Sequence, residues 1–152
     1  MSTNETTVNP FESVLPQTGV SRSEIWNEIQ STAVAAVGKA VENKEALASF
    51  HAPTAFAEII RQIRKDYALH AEKFADRPRQ ITRCQGGGLV FLPGITQTPI
   101  DFMILEPIFC NGKATIGGIS VDMDHYYVLL KKCDVFVEDG SQLVTVAMMY
   151  IE

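Results

Sequence analysis

The chain of 152 residues has three cysteines, three histidines and one tryptophan. Cys84, Cys110 and Cys133 are far apart and include no C-x-x-C pair, so they build neither a disulfide framework nor a zinc ribbon. No run approaches 18 uninterrupted apolar residues, which excludes a membrane-spanning helix. The opening Met1-Ser-Thr-Asn-Glu5 lacks the basic and apolar regions of a signal peptide, and the sparse thiols point the same way, so the expected setting is reducing and intracellular, or a virion. Positive charge is also short, with 13 Lys plus Arg against 18 Asp plus Glu and a net charge of −5. A protein that displaces counterions from a DNA duplex needs the opposite balance.

What remains is an apolar fraction of 46% in a chain long enough to bury a core without disulfides or a structural metal. Residues 1–20 are rich in Thr, Asn, Ser and Pro and follow neither a helical nor a strand period. They read as an extended arm whose apolar points, Val8, Phe11, Val14 and Leu15, are spaced like anchors for a neighbouring surface. A plain tail is the competing reading.

A single α+β domain is expected over 21–152. Ser21-x-x-Glu24 forms a capping box, flanked by Val20 and Ile25 as a hydrophobic staple. The first helix therefore spans about 22–50, with Ile25, Ile29, Val34, Val37 and Val41 as its apolar stripe, widened by Trp26 and the alanines from Ala33 to Ala40. Pro53 suits the first turn of a second helix over about 53–76, where Phe56, Ile60, Ile63, Tyr67, His70 and Phe74 recur at alternating spacings of four and three. His70 reads as a core histidine, because no second metal ligand is assigned to its face.

From about residue 88 the chain is β-branched, aromatic and punctuated by glycine, which predicts strands. Asn111-Gly112 and Glu138-Asp139-Gly140-Ser141 are hairpin signals. The expected architecture is two N-terminal helices packed on a C-terminal antiparallel meander of about five strands, preceded by the arm. Tyr126 to Leu130 and Val144 to Ile151 are apolar at successive positions, so both faces of their sheet need cover. One helical layer covers one face. The other predicts a homo-oligomer or a neighbouring subunit, unless the sheet curls round a pocket of its own.

Signals for chemistry are weak. The glycine run Gly86 to Gly88 lacks the Lys-[Ser/Thr] of a phosphate loop and reads as a loop, while Gly117-Gly118 suggests a bulge or a close backbone approach. Asp122-Met-Asp-His125 would place two carboxylates on one strand face, and with Tyr126 and Tyr127 it forms the candidate ligand pocket; a polar turn is the plainer reading. Cys110 and Cys133 read as inert core thiols. No catalytic residue, metal ligand set or cofactor is assigned.

Charge is segregated: residues 1–52 carry a net −3, 53–83 a net +3, and 84–152 a net −5. Arg61, Arg64, Lys65, Arg77 and Arg79 thus form a basic strip on an acidic protein. A solvated helix face accounts for it, docking on the acidic β region of another subunit is the next reading, and weak nucleic-acid contact is the third. The expected function is a non-enzymatic structural subunit of a larger assembly, such as a virion or head-to-tail component, binding its neighbours through the arm and the apolar sheet face. A small-molecule-binding cone or small enzyme with the 122–127 pocket is the first alternative. A nucleic-acid or regulatory module using the 61–83 strip is the second.

Overall fold

A computed structural model describes residues 7–13, 15, 24–50, 56–74 and 84–150. The fold is α+β. In chain order the elements are β1 (Val8–Glu12), α1 (Glu24–Glu42), β2 (Leu47–Phe50), α2 (Phe56–His70) with a 3-10 turn over Ala71–Lys73, β3 (Cys84–Phe91), β4 (Gly94–Gln97), β5 (Met103–Asn111), β6 (Ala114–Ile116), β7 (Ile119–Ser120), β8 (His125–Leu129), β9 (Asp134–Val137) and β10 (Gln142–Tyr150).

The strands form two antiparallel sheets instead of one meander of about five. The larger has the order β1-β8-β5-β10-β3-β2 and the smaller β4-β9-β6-β7. Side chains alternate across the large sheet. Ile104, Tyr126, Val128, Val144 and Val146 face α1 and α2, where Ile29, Ala33, Ile59, Ile63 and Tyr67 meet them. Met103, Leu105, Tyr127, Leu129, Leu143 and Ala147 face the opposite way, onto Ala114, Ile116, Val135 and Val137 of the small sheet. The two-faced apolar strands are therefore covered on both sides by their own chain, in three layers of helices, large sheet and small sheet. Covering the second face from within removes the reason for expecting a neighbour across it.

Both predicted hairpins are corners between the sheets. Asn111-Gly112 leads from β5 in the large sheet to β6 in the small one, and Glu138 to Ser141 leads from β9 back to β10. The two corners are tied together: the Lys113 amide donates to Ser141 Oγ at 3.0 Å, Asn111 Nδ2 donates to Gln142 Oε1 at 3.1 Å, and the Glu138 amide donates to the Lys113 carbonyl at 3.0 Å. The hairpin within the small sheet is made by Gly117-Gly118 between the paired Ile116 and Ile119, and both glycines have positive φ, as a type I′ turn requires.

The described part of the arm is built into the sheet. Val8–Glu12 is the edge strand of the large sheet, in register with β8 from Val8↔Leu129 to Glu12↔His125. Pro10, which has no N–H to give a ladder, fits an edge position. The first helix also ends sooner than expected, at Glu42, and the chain turns back as β2 along β3. Its buried stripe is Ile29, Ala33 and Ala40 with Ala36 and Val37 beside them, whereas Val34 and Val41 lie 55% exposed. Small alanines let the helix axis sit close to the sheet, and that contact outcompetes the bulkier valines. α2 follows its predicted stripe closely, with Ile59 more deeply buried than Ile60. The capping-box Ser21 and Pro53 lie outside the described residues.

Gly86 to Gly88 belong to β3, not to a loop. A Cβ on Gly88 would enter the Phe50 ring, and one on Gly86 would meet the Ile60 side chain, so the glycines admit β2 and α2 to close packing on the sheet. At the end of α1, Lys44 has φ +55°; its amide donates to the Val41 carbonyl and that of Glu45 to the Ala40 carbonyl, each at 3.1 Å. This is a Schellman cap with lysine where glycine is unstrained. Lys44→Gly is expected to stabilise the fold by about 1 kcal/mol, read as a higher midpoint in urea unfolding; an unchanged or lower midpoint would contradict the cap.

Candidate functional site

The polar side chains converge where the N-terminal strand, β8 and the end of α2 meet. Alternation along β8 sends Tyr126 to the helix side and Tyr127 to the small-sheet side. Tyr126 is fully buried, and its hydroxyl donates to the Asp66 carboxylate on α2. Burial and then the Asp66 charge push its ionisation well above the ordinary tyrosine range. Asp66 Oδ2 also lies 3.8 Å from His70 Nε2, one helical turn on. Phe11, arriving on β1, stacks between the two rings, 4.7 Å from His70 and 5.5 Å from Tyr126, with Lys73 Nζ 5.4 Å from its centroid.

Beneath this stack Glu106 of β5 is wholly buried. Ser13 Oγ donates to its Oε1 at 2.6 Å, while Oε2 has no partner among the described residues. Burial pushes the Glu106 carboxyl up to about 8, partly opposed by the Ser13 hydrogen bond. A carboxyl in this setting is neutral at mildly acidic pH. Its hydrogen bond with Ser13 holds the end of the N-terminal strand in place, and it lines neither the cleft between α1 and β2 nor the groove on the outside of the small sheet.

The predicted pocket residues do not share one cavity. Asp122, Asp124 and His125 form a polar turn: Asp122 Oδ1 accepts from the Asp124 amide at 2.7 Å and lies 2.8 Å from His125 Nδ1. The hydrogen bond from His125, together with that amide, holds Asp122 below its ordinary range. Tyr127 is on the opposite sheet face from Tyr126; its hydroxyl oxygen accepts from the Asp122 amide at 2.9 Å and donates towards the Ser120 carbonyl at 3.4 Å. The Asp122 carboxylate is therefore engaged within the turn itself. The sequence reading gave His70 no acid on its own face, but Asp66 stands one turn before it and pairs with it.

The arm anchors are likewise used within the chain. Val8 is buried in the small-sheet core, Leu15 in the helix-side core, and Phe11 in the aromatic stack; Val14 lies outside the described residues. Of the basic strip, Arg61 pairs with Glu58 on the exposed face of α2, Lys65 is exposed and Arg64 half-buried, while Arg77 and Arg79 lie outside the described residues. Burial pushes the pKa of the Cys110 and Cys133 thiols up, which disfavours the thiolate, so neither thiol is activated. Among the described residues no group of three His, Cys, Asp or Glu could hold a metal ion, and no helix is long and apolar enough to cross a membrane.

Sequence reasoning missed Glu106 and Asp66. Glu106 carries a visible signal, a lone acid inside the apolar run Phe102 to Phe109. Asp66 carries only its spacing of four residues before His70; its pairing with Tyr126 appears only when β8 packs against α2.

Concave surfaces lie elsewhere on the described residues. A cleft of about 380 Å³ lies between the end of α1 and β2, lined by Lys39, Ala40, Asn43, Glu45, Phe50 and Val90. A groove of about 390 Å³ lies on the outside of the small sheet, lined by Lys113, Thr115, Ser120, Val121, Phe136 and Glu138. Beside it Ile95 and Phe136, directly paired across β4 and β9, are 69% and 42% exposed. Compared with protein-family models, curated proteins and solved structures, the chain has no match.

Proposed function

We propose that this chain is a non-enzymatic subunit of a larger assembly, of the virion or head-to-tail kind, and that it meets a neighbouring subunit through the outer face of its small sheet. The observation that carries this reading is the exposed Ile95–Phe136 pair beside the outer groove. A cross-strand isoleucine and phenylalanine facing water stabilise the monomer only modestly, and adjacent exposed apolar groups of this kind mark contact surfaces. Lys113 and Glu138 at the same groove supply one charge of each sign for the rim of a contact. The large sheet and the arm, the surfaces first expected to bind neighbours, are occupied within the chain.

Deleting the arm does not test this reading, because β1 is part of the core. The test is Ile95→Thr with Phe136→Ser, examined by native mass spectrometry. These changes leave the buried face of the small sheet intact, so the variant is expected to keep its fold, with a thermal midpoint lowered by no more than roughly 4 °C, while losing higher-order species. Assembly unaffected by the pair of changes would refute the assignment. The cleft between α1 and β2 supports a second reading, a small-molecule site with an apolar floor and a polar rim. A ligand retained in the same spectra would favour it.

A further inference from the structure

β1 differs from the other strands of the large sheet in being both first in sequence and outermost in the sheet, bonded to β8 alone. Its removal would leave the ladders of β8-β5-β10-β3-β2 intact and make β8 the new edge. Yet its side chains are seated one by one in sockets made by other elements. Val8 sits over Gly117, where an added Cβ would lie 3.5 Å from Val8 Cβ and closer still to its Cγ2. Phe11 lies between Tyr126 and His70. Ser13 caps the buried Glu106, and its amide donates to the Asp124 carbonyl at 2.7 Å. The Leu130 amide closes the other end on the Thr7 carbonyl at 2.9 Å.

An empty socket would be costly in a specific way. The Glu106 carboxyl would lose its hydrogen-bond donor, and β8 would present an unpaired ladder edge, with the rings of Tyr126 and His70 uncovered. Water can partly satisfy that edge, but only a strand carrying the pattern Val8-x-x-Phe11-x-Ser13-x-Leu15 refills every position. At working concentrations, the one segment bound to have that pattern is the same segment of another copy.

We propose that the N-terminal strand is exchangeable, and that the socket along β8 accepts Val8, Phe11, Ser13 and Leu15 from a second copy of this chain. Strand addition of this kind draws affinity from the backbone ladder and specificity from the alternate side-chain pockets. A donor that fills one neighbour and is filled by another generates a closed pair or an open series, according to geometry. Residues 16–23 join the segment to α1, and eight residues reach at most about 29 Å when extended, which limits how far the donor copy can stand. The proposal deepens the assembly reading by naming a second contact, separate from the outer face of the small sheet.

The experiment uses the full chain with its own strand weakened, as Phe11→Ala and, independently, Ser13→Ala, so that a folding failure of one variant leaves the other. Each is titrated with a fluorescent synthetic peptide of residues 7–15 and with a control peptide carrying both substitutions. The natural peptide is expected to bind at least roughly tenfold more tightly than the control and to raise the variant's thermal midpoint. Wild-type chain is expected to form dimers or longer series in native mass spectra as its concentration rises. A wild type that stays monomeric, or folded variants that ignore the natural peptide, would overturn the proposal. Repeating the titration in Ile95→Thr/Phe136→Ser chains separates the two contacts: peptide uptake with assembly unchanged by those substitutions defeats only the docking face, and the converse defeats only the exchange.

Discussion

Glu106→Gln is expected to make the protein more stable at pH 8 than the wild type, by on the order of 2 to 4 kcal/mol. Glu106 is wholly buried and its carboxyl is raised from 4.5 to about 8, so between those values the folded state holds a proton that the unfolded chain has released. The folded form therefore binds more protons, and stability falls as pH rises through that window. The contribution is fully present below about pH 4.5, is lost progressively up to about 8, and stays lost above it. Glutamine keeps the shape and the acceptor for Ser13 but cannot ionise. Urea unfolding of both proteins at intervals from pH 5 to 9 should give midpoints that nearly coincide at pH 5, where leaving the new amide unsatisfied costs the variant about 1 kcal/mol, and then diverge. Parallel curves would mean that Glu106 is not held neutral by its surroundings.

The second large effect lies at the corner between the sheets. Gly112→Ala is expected to cost roughly 2 to 4 kcal/mol and to lower the thermal midpoint by roughly 5 to 15 °C. Gly112 has φ +89°, and an added Cβ would lie 2.7 Å from Ser141 Cβ and 3.2 Å from its Cα. Rotating Ser141 away does not move its Cα, and it breaks the hydrogen bond that its hydroxyl accepts from the Lys113 amide. Gly140, at the partner corner, has φ +80° but faces open space. Gly140→Ala therefore pays for conformation alone, about 1 kcal/mol. Calorimetry on the two variants should separate strain from collision, and equal losses would argue that the corners are not packed on each other.

These corners also explain which parts of the fold the sequence discloses. The stripe of α2 was legible because helix periodicity and burial coincide at Phe56, Ile63 and Tyr67, all within one element. The demand for cover on both faces of β8 and β10 was legible for the same reason. What supplies the second cover was not, because a turn signal such as Asn111-Gly112 fixes a reversal of the chain and not the sheet that the next strand joins. β1 and β2 were hidden differently. The first contains a proline and the second is only four residues, so neither has a local pattern stronger than its surroundings; pairing with β8 and β3 makes them strands. At the site, Tyr126 was named from the sequence, but its partner Asp66 and the ring of Phe11 come from elements remote in the chain.

The edge position of β1 has a consequence for how the protein is made. Phe11 and Tyr126 face each other across more than a hundred residues of sequence, so β1 leaves the ribosome well before the strand it pairs with. At ordinary rates of synthesis the interval is roughly 6 to 25 seconds, during which Val8, Phe11 and Leu15 have no β8 to close on. Contacts this distant also slow folding. Docking of β1 therefore waits for β8 to be made, and neighbouring nascent chains on one message have time to meet before it is complete.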